Sequence, residues 1–277
     1  MFEKLLKLDR RVIFIFIAVA LITPFFLDIK QPMTVSPEVR SLYDEFEKLK
    51  PGSKVLISFD YDPPSAPELQ PMAVAMLKYC FAKDLKVYII GLWPQGPLQA
   101  NLAVEAVKAD EHFKDDPPQY DVDYVNLGFM SGNEVVIKSI GSDIRRTFPR
   151  DNLGNPTHEL EMMKGVTNYS NFDLIFNLSA GYPGTVEWVL FAVGRFNAKL
   201  VAGNTAVQSP GMYPYLNSGQ LLGLAGGLKA AAELEDLAQY YGRGTKFMLS
   251  QSFAHLTIIL FIIIGNLAYF ATRGRNR

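Results

Sequence analysis

Two uncharged apolar runs stand at opposite ends of this chain, and such runs fold stably only where lipid or a protein core removes them from water. Residues 12–27 (VIFIFIAVALITPFFL) carry no charge over 16 positions. As a helix this run rises about 24 Å, a little short of a hydrocarbon core of roughly 30 Å, so its flanks must snorkel. Pro24 falls near its end, where loss of one hydrogen bond is tolerable. Residues 253–271 (FAHLTIILFIIIGNLAYFA) give 19 positions broken only by His255 and Asn266, a length that suits a bilayer. Both runs are read as transmembrane helices. Lys4, Lys7, Arg10 and Arg11 precede the first, and Arg273, Arg275 and Arg277 follow the second. The positive-inside rule then puts the basic tails 1–11 and 272–277 in the cytoplasm and the intervening 28–252 outside it. Two other readings compete. The first run resembles a secretory signal but lacks a small-x-small cleavage site, and the second could be a core helix but has no polar face.

The remaining length suits one domain, since 277 residues less two spans leaves no room for two ordinary ones. Lys and Arg number 27 against 28 Asp and Glu, so no basic field draws nucleic acid, and none is expected as a partner. Cys80 is the single cysteine, which rules out an intrachain disulfide and leaves the redox compartment open.

Between the spans, Ser36-Pro37-Glu38 starts an amphipathic helix carrying Val39, Leu42, Phe46 and Leu49 and ending at Pro51-Gly52. Five short apolar runs follow, at 55–59, 87–90, 122–127, 174–178 and 200–202, and each reads as a strand. Helical patterns lie at 66–83, 96–113, 131–147, 184–196 and 217–240. Alternation of this kind predicts a doubly wound parallel sheet of five strands, an α/β domain of Rossmann-like or flavodoxin-like form. Ser65-Ala-Pro-Glu68 and Ser131-Gly-Asn-Glu134 match the capping-box pattern where a strand hands over to a helix. The stretch 148–171 departs from the alternation and is expected to be an insertion or flap.

Doubly wound sheets bind ligands beyond the carboxyl ends of their strands. The topology brings Asp60, Asp62, Ser65, Trp93, Gln95, Ser131, Ser179, Thr185, Asn204, Thr205 and Ser209 to that rim, as a binding crevice or simply as the turn and cap residues such loops need. Gly181-Tyr-Pro-Gly184-Thr185 could cradle an anion on a helix start or form a plain capped turn. There is no G-x-G-x-x-G after the first strand, no P-loop and no G-x-S-x-G elbow. His112, His158 and Cys80 fall in unrelated contexts, so no zinc site or Cys/His nucleophile is expected.

Asp60-Tyr-Asp62, directly after an apolar strand, resembles over about ten residues the first motif of haloacid-dehalogenase-type phosphatases. That resemblance implies Asp60 as nucleophile and Asp62 as acid/base beside Mg²⁺. The sequence departs from the family where the second strand ends in Gly91-Leu92-Trp93 with no Ser or Thr, and where Ser179-Ala-Gly-Tyr-Pro stands in place of paired acidic residues. Asp62 before Pro63-Pro64 reads equally well as a turn residue.

Residues 220–235 (QLLGLAGGLKAAAELE) place Gly223, Gly226 and Gly227 inside an expected helix, each at a cost of about 0.5–1 kcal/mol relative to alanine. Such a cost points to close backbone packing, against the domain's own sheet or a neighbouring subunit. Met212, Tyr213 and Tyr215, in the proline-containing loop before it, have the composition of a protein–protein contact. Two functions follow. One is a non-catalytic membrane-anchored scaffold or accessory subunit that pairs with itself or with other membrane proteins and needs no cofactor. The other is a tethered ligand-binding protein or Mg²⁺-dependent phosphatase-like enzyme working at Asp60 and Asp62.

Overall fold

The computed structural model describes residues 9–26 and 33–273. Lys4, Lys7, Arg275 and Arg277, on which much of the expected orientation rests, lie outside them, as does Leu27. Contacts divide the chain into a central unit, Met33–Gly244, and a unit formed by its ends, Met1–Pro32 with Thr245–Arg277.

In the central unit, runs of β-branched and aromatic residues form six strands: β1 Lys54–Asp60, β2 Lys86–Gly91, β3 Tyr124–Phe129, β4 Leu174–Ser179, β5 Leu200–Asn204 and β6 Leu224–Gly226. They make one sheet in the order β3-β2-β1-β4-β5-β6 with every pairing parallel. This is the order of a doubly wound Rossmann-type sheet, which requires helices on both faces. On one face, α1 Pro37–Glu47, α2 Ala66–Ala82, α3 Gly96–Lys108 and α6 Gly227–Ala238 bury Leu42, Phe46, Met72, Met76, Ala103 and Leu234 against Ile57, Phe59, Ile89 and Phe176. On the other, α4 Glu134–Ile140 and α5, which runs from Thr185–Trp188 through a π-helical Val189–Val193, pack Ile137, Ile140 and Trp188 against Leu56, Ile90, Val125 and Ile175.

Several expected boundaries move. The sheet has six strands instead of five because 224–226 is a strand and not part of a 217–240 helix. Leu224 and Ala225 are buried at the edge of the sheet, and α6 begins only at Gly227, whose φ of 68° no ordinary helical residue adopts. Gly223, Gly226 and Gly227 therefore carry no mid-helix cost. The close approach at Gly223 is made within the chain, since a Cβ there would strike the backbone of Leu42 in α1. The third strand starts at Tyr124, because Asp121 turns the chain at φ 58° and leaves Val122 exposed. Helix 131–147 splits into α4 and a short Ile144–Thr147 turn capped by Asp143, and helix 96–113 ends at Lys108 before a turn capped by Asp110.

Neither expected capping box forms. Ser65 bonds to Asp62, and Glu68 reaches across to the amide of Ala206, while Glu134 follows an Asn133 that makes no side-chain cap. The 148–171 stretch is a packed insertion, not a free flap. Asp151 accepts from Tyr120, Leu153 and Asn155, and Leu160, Met163 and Val166 are buried in the second core.

In the unit formed by the ends, an N-terminal helix Arg10–Ile22 starts on an Asp9 cap and tightens into a 3₁₀ turn, Thr23–Phe26. The expected continuous helix through residue 27 thus loses its α geometry at Thr23, just before Pro24. A C-terminal helix runs over Arg243–Arg273, and its Arg243–Thr272 stretch is, among the described residues, the one helix long and apolar enough to cross a membrane. Phe16 meets Phe261 and Phe25 meets Phe247, edge to face, so the two helices run antiparallel. Both leave large apolar side chains uncovered, among them Phe14, Ile15 and Ile22 on the first and Ile259, Leu260 and Ile263 on the second.

The packing at Gly223 sets a measurable contrast. Gly223→Ala should destabilise the protein by ~1–3 kcal/mol, as overpacking against backbone does. Gly211→Ala, where a Cβ meets nothing, should stay within ~0.5 kcal/mol. Thermal unfolding of the two variants in detergent checks this, and equal melting temperatures would remove the packing argument.

Candidate functional site

Strand alternation sends Val55, Ile57 and Phe59 of β1 to one face of the sheet and Leu56, Ser58 and Asp60 to the other. The parallel register places Asn177 beside Ser58, Ser179 beside Asp60, and Asn204 beside Ser179. Five polar side chains from three adjacent strands thus share one face at one end. The strand order reverses between β1 and β4, the point where doubly wound sheets open a crevice for ligands.

Here those side chains take one another. Asp60 Oδ1 accepts from the Ser58 hydroxyl and the Leu92 amide, each at 2.8 Å, and Oδ2 accepts from Asn177 Nδ2 at 2.7 Å and Trp188 Nε1 at 2.9 Å. Asn177 Oδ1 receives the Thr185 hydroxyl at 2.7 Å, and Asn204 Nδ2 donates to Thr185 Oγ1 at 2.9 Å and to Gln208 Oε1 at 3.3 Å. Asp60, Asn177, Ser179 and Asn204 are wholly buried and Thr185 nearly so. Burial pushes the Asp60 carboxyl up from 3.8 to about 6, and the four donors hold it from rising further. At neutral pH it is a carboxylate, stabilised by bonds that are each worth about 1.5–3 kcal/mol when one partner is charged.

The loop after β4 closes over this network. Gly184 has no room for a side chain, because a Cβ would strike Ser179 Oγ and the Gly181 carbonyl. Its amide, at the start of α5, donates to Glu187 Oε2 at 2.8 Å. One helix-start amide that an anion would use is thereby occupied from within. Trp93 lies against Gly181 and donates its Nε1 hydrogen to the Pro183 carbonyl at 2.9 Å, tying the loop after β2 to the loop after β4.

Of the residues expected at the rim, the fold joins Asp60, Ser179, Thr185 and Asn204 in this network and sets Trp93 over it. Thr205 adds its amide, which donates to the Ser179 carbonyl. Asp62 and Ser65 bond to each other in the turn before α2, while Gln95 and Ser131 are exposed. Ser209 donates to the Thr205 carbonyl and lines a separate cavity with Tyr213 and Gly226. Met212 is buried in the second core and Tyr215 packs against it, so much of the aromatic loop expected at an interface is used inside the domain. Ser58, Asn177, Trp188 and Gln208 complete the network and escaped the sequence reading. The available signal was a polar residue inside an apolar strand, in LISF and LIFNL.

The Asp60-Tyr-Asp62 resemblance implies a nucleophile at Asp60 with Asp62 beside it as acid/base. In this geometry both Asp60 oxygens are held by protein donors, while Asp62 bonds to Ser65 in the following turn. Among the described residues no three His, Cys, Asp or Glu side chains come together to hold a metal.

No protein-family model matches the chain, and no curated protein matches it. Among solved structures it is similar to a trehalose-6-phosphate synthase, OtsA, at 10% identity and a TM-score of 0.31. The similarity covers 88% of this chain and 47% of that one, so this chain spans about half the length of the synthase.

Asp60→Asn sets an NH₂ group against Asn177 Nδ2 and Trp188 Nε1, or against the Leu92 amide beside the Ser58 hydroxyl, so at least one donor loses its acceptor and the change should cost ~2–4 kcal/mol of stability. Because folding raises the Asp60 pKa, its proton favours the folded state. That contribution is full below 3.8 and is lost as pH rises through about 6, by up to ~3 kcal/mol at ~1.4 kcal/mol per unit. Denaturant melts of wild type and Asp60→Asn at pH 4 and 7 test this. The advantage of the wild type should shrink at the higher pH, and an advantage that grows instead would contradict the assignment.

Proposed function

We propose that this chain is a non-catalytic accessory subunit of a membrane protein assembly, anchored by a helix at each end and presenting its α/β domain outside the cytoplasm. The observation that carries the reading is the saturation of Asp60: the carboxylate at the reversal point of the sheet spends both oxygens on four protein donors. A crevice occupied in this way holds the sheet together and offers no reacting group to a substrate.

The two-pass anchor draws support from the end unit. Its helices run antiparallel, and their uncovered Phe, Ile and Leu side chains form a surface that lipid solvates and water does not. Arg10 and Arg11 at the start of one helix and Arg273 at the end of the other fit a cytoplasmic location for both termini. The partners in this reading are the bilayer and either further copies of the chain or other membrane proteins.

Two measurements test it. Purification in mild detergent followed by mass photometry should give a particle heavier than one chain, with no Mg²⁺-dependent phosphatase activity. A monomer with such activity, lost in Asp60→Asn, would overturn the reading. For orientation, an Asn152→Cys variant should react with an impermeant maleimide on intact cells, and a cysteine appended after Arg277 should react only after lysis. Cys80 is buried and should contribute no background. The reverse labelling pattern would invert the topology.

A further inference from the structure

Polar side chains on the C-terminal helix Arg243–Arg273 divide into those the helix satisfies by itself and one that it does not. The hydroxyls of Ser250, Ser252, Thr257 and Thr272 each donate to the carbonyl four residues earlier, at 3.0, 3.0, 2.8 and 2.9 Å. Such groups need nothing from outside the helix. Asn266 differs, because its side-chain amide makes no hydrogen bond among the described residues and stands exposed. It lies five residues before the end of the apolar run 253–271, about 8 Å inside that end and about 6 Å from the middle of the run. A stem as short as that of asparagine cannot snorkel to the headgroups as lysine and arginine do. His255, near the other end of the run, is close enough to the interface for water to reach it.

An amide carries two N–H donors and a carbonyl acceptor, and lipid tails offer no partner for any of them. Another helix can. Asn266 belongs to an exposed stripe formed by His255, Ile259, Ile262, Asn266 and Tyr269, in which Ile259 is 52%, Ile262 56% and Tyr269 49% exposed. The steps along it alternate between four and three residues, the period of a seam between two helices wound around each other with a left hand. The N-terminal helix does not cover this stripe. Its side of the C-terminal helix is marked by Phe261, which meets Phe16, and by the buried Ala254 and Ala268. At about 100° per residue the stripe lies roughly a third of a turn away from those three residues.

We infer, on the reading that residues 253–271 cross a membrane, that this stripe pairs with the same stripe of a second copy of the chain, the two Asn266 amides bonding to each other. The amide identifies the occupant. It both donates and accepts, so an identical amide is its full complement, and a two-fold axis along the membrane normal exchanges one for the other. Copies inserted in the same orientation also carry Asn266 at the same depth, a match that an unrelated helix would have to supply by its own sequence. Ile259, Ile262 and Tyr269 then pack around the polar contact, and a single asparagine in such a seam fixes its register.

Cross-linking and self-association of the full-length protein in phosphatidylcholine vesicles test the pairing. Under copper-phenanthroline oxidation, Ile262→Cys should give disulfide-linked dimers, whereas Leu260→Cys, exposed at nearly the same depth but off the stripe, should not. The wild type, whose Cys80 is buried, sets the background. Energy transfer between amine-labelled copies, followed as the vesicles are diluted with lipid, should show self-association about tenfold weaker in Asn266→Leu and within about threefold of wild type in Asn266→Gln. Leucine suits a bilayer, so loss of insertion does not confound the first variant. A chain that alkaline carbonate strips from membranes would overturn the membrane reading itself. A chain that stays inserted, but cross-links equally at both positions or at neither, or associates as well with Asn266→Leu as without it, would overturn the pairing and leave the accessory-subunit reading standing.

Discussion

A carboxylate sealed inside a protein costs several kcal/mol unless hydrogen bonds replace its water, and Asp60 sits where that cost falls at the centre of the sheet. Its donors come from β1 itself, from the residue after β2, from β4 and from α5. One side chain therefore ties together the two halves of the doubly wound sheet and the helix that covers their junction. The tight turn at Gly184 packs on Ser179 of the same junction, and Trp93 ties the loop after β2 to that turn.

This is also why the functional reading turns on occupancy more than on fold. Doubly wound sheets host many unrelated chemistries, and what distinguishes them is the loop chemistry at the reversal point. In this domain the amide that opens α5 is bonded to Glu187, and the polar ends of β1, β4 and β5 are bonded to each other. The α6 side contrasts with it. There Glu233 bonds Ser36 and Lys229 through one oxygen, and the other is buried with no hydrogen-bond partner among the described residues.

Much of the architecture was legible because it follows from hydrophobic period and from turn residues. VLISF, VYII and LIFNL read as strands, and the alternation with helices implied a parallel doubly wound sheet. The sixth strand was hidden because LAG is short and flanked by glycines within a run of helix formers, and its parallel pairing with β5 is what identifies it. The capping box at 65–68 failed because Glu68 found a tertiary partner in the Ala206 amide, which no local pattern encodes, and Ser65 bonded back to Asp62. At the site, Asp60 stood out for its place at a strand end, but the donors around it did not. Whether a carboxylate is reactive or structural depends on Asn177 and Trp188, more than a hundred residues away. Glu233 escaped for the same reason, as one acidic residue on an amphipathic helix.

The account rests on the Asp60 network being closed and dry, and the indole hydrogen of Trp188 reports on it directly because its acceptor is Asp60 Oδ2 at 2.9 Å. Hydrogen exchange at that indole, followed by NMR on the detergent-solubilised full-length protein at neutral pH, is the decisive measurement. The network predicts exchange only through global unfolding, with protection that matches the most stable backbone amides of β1 and β4. Exchange within seconds, while those amides stay protected, would mean that the crevice opens to solvent in the native state and would contradict the account.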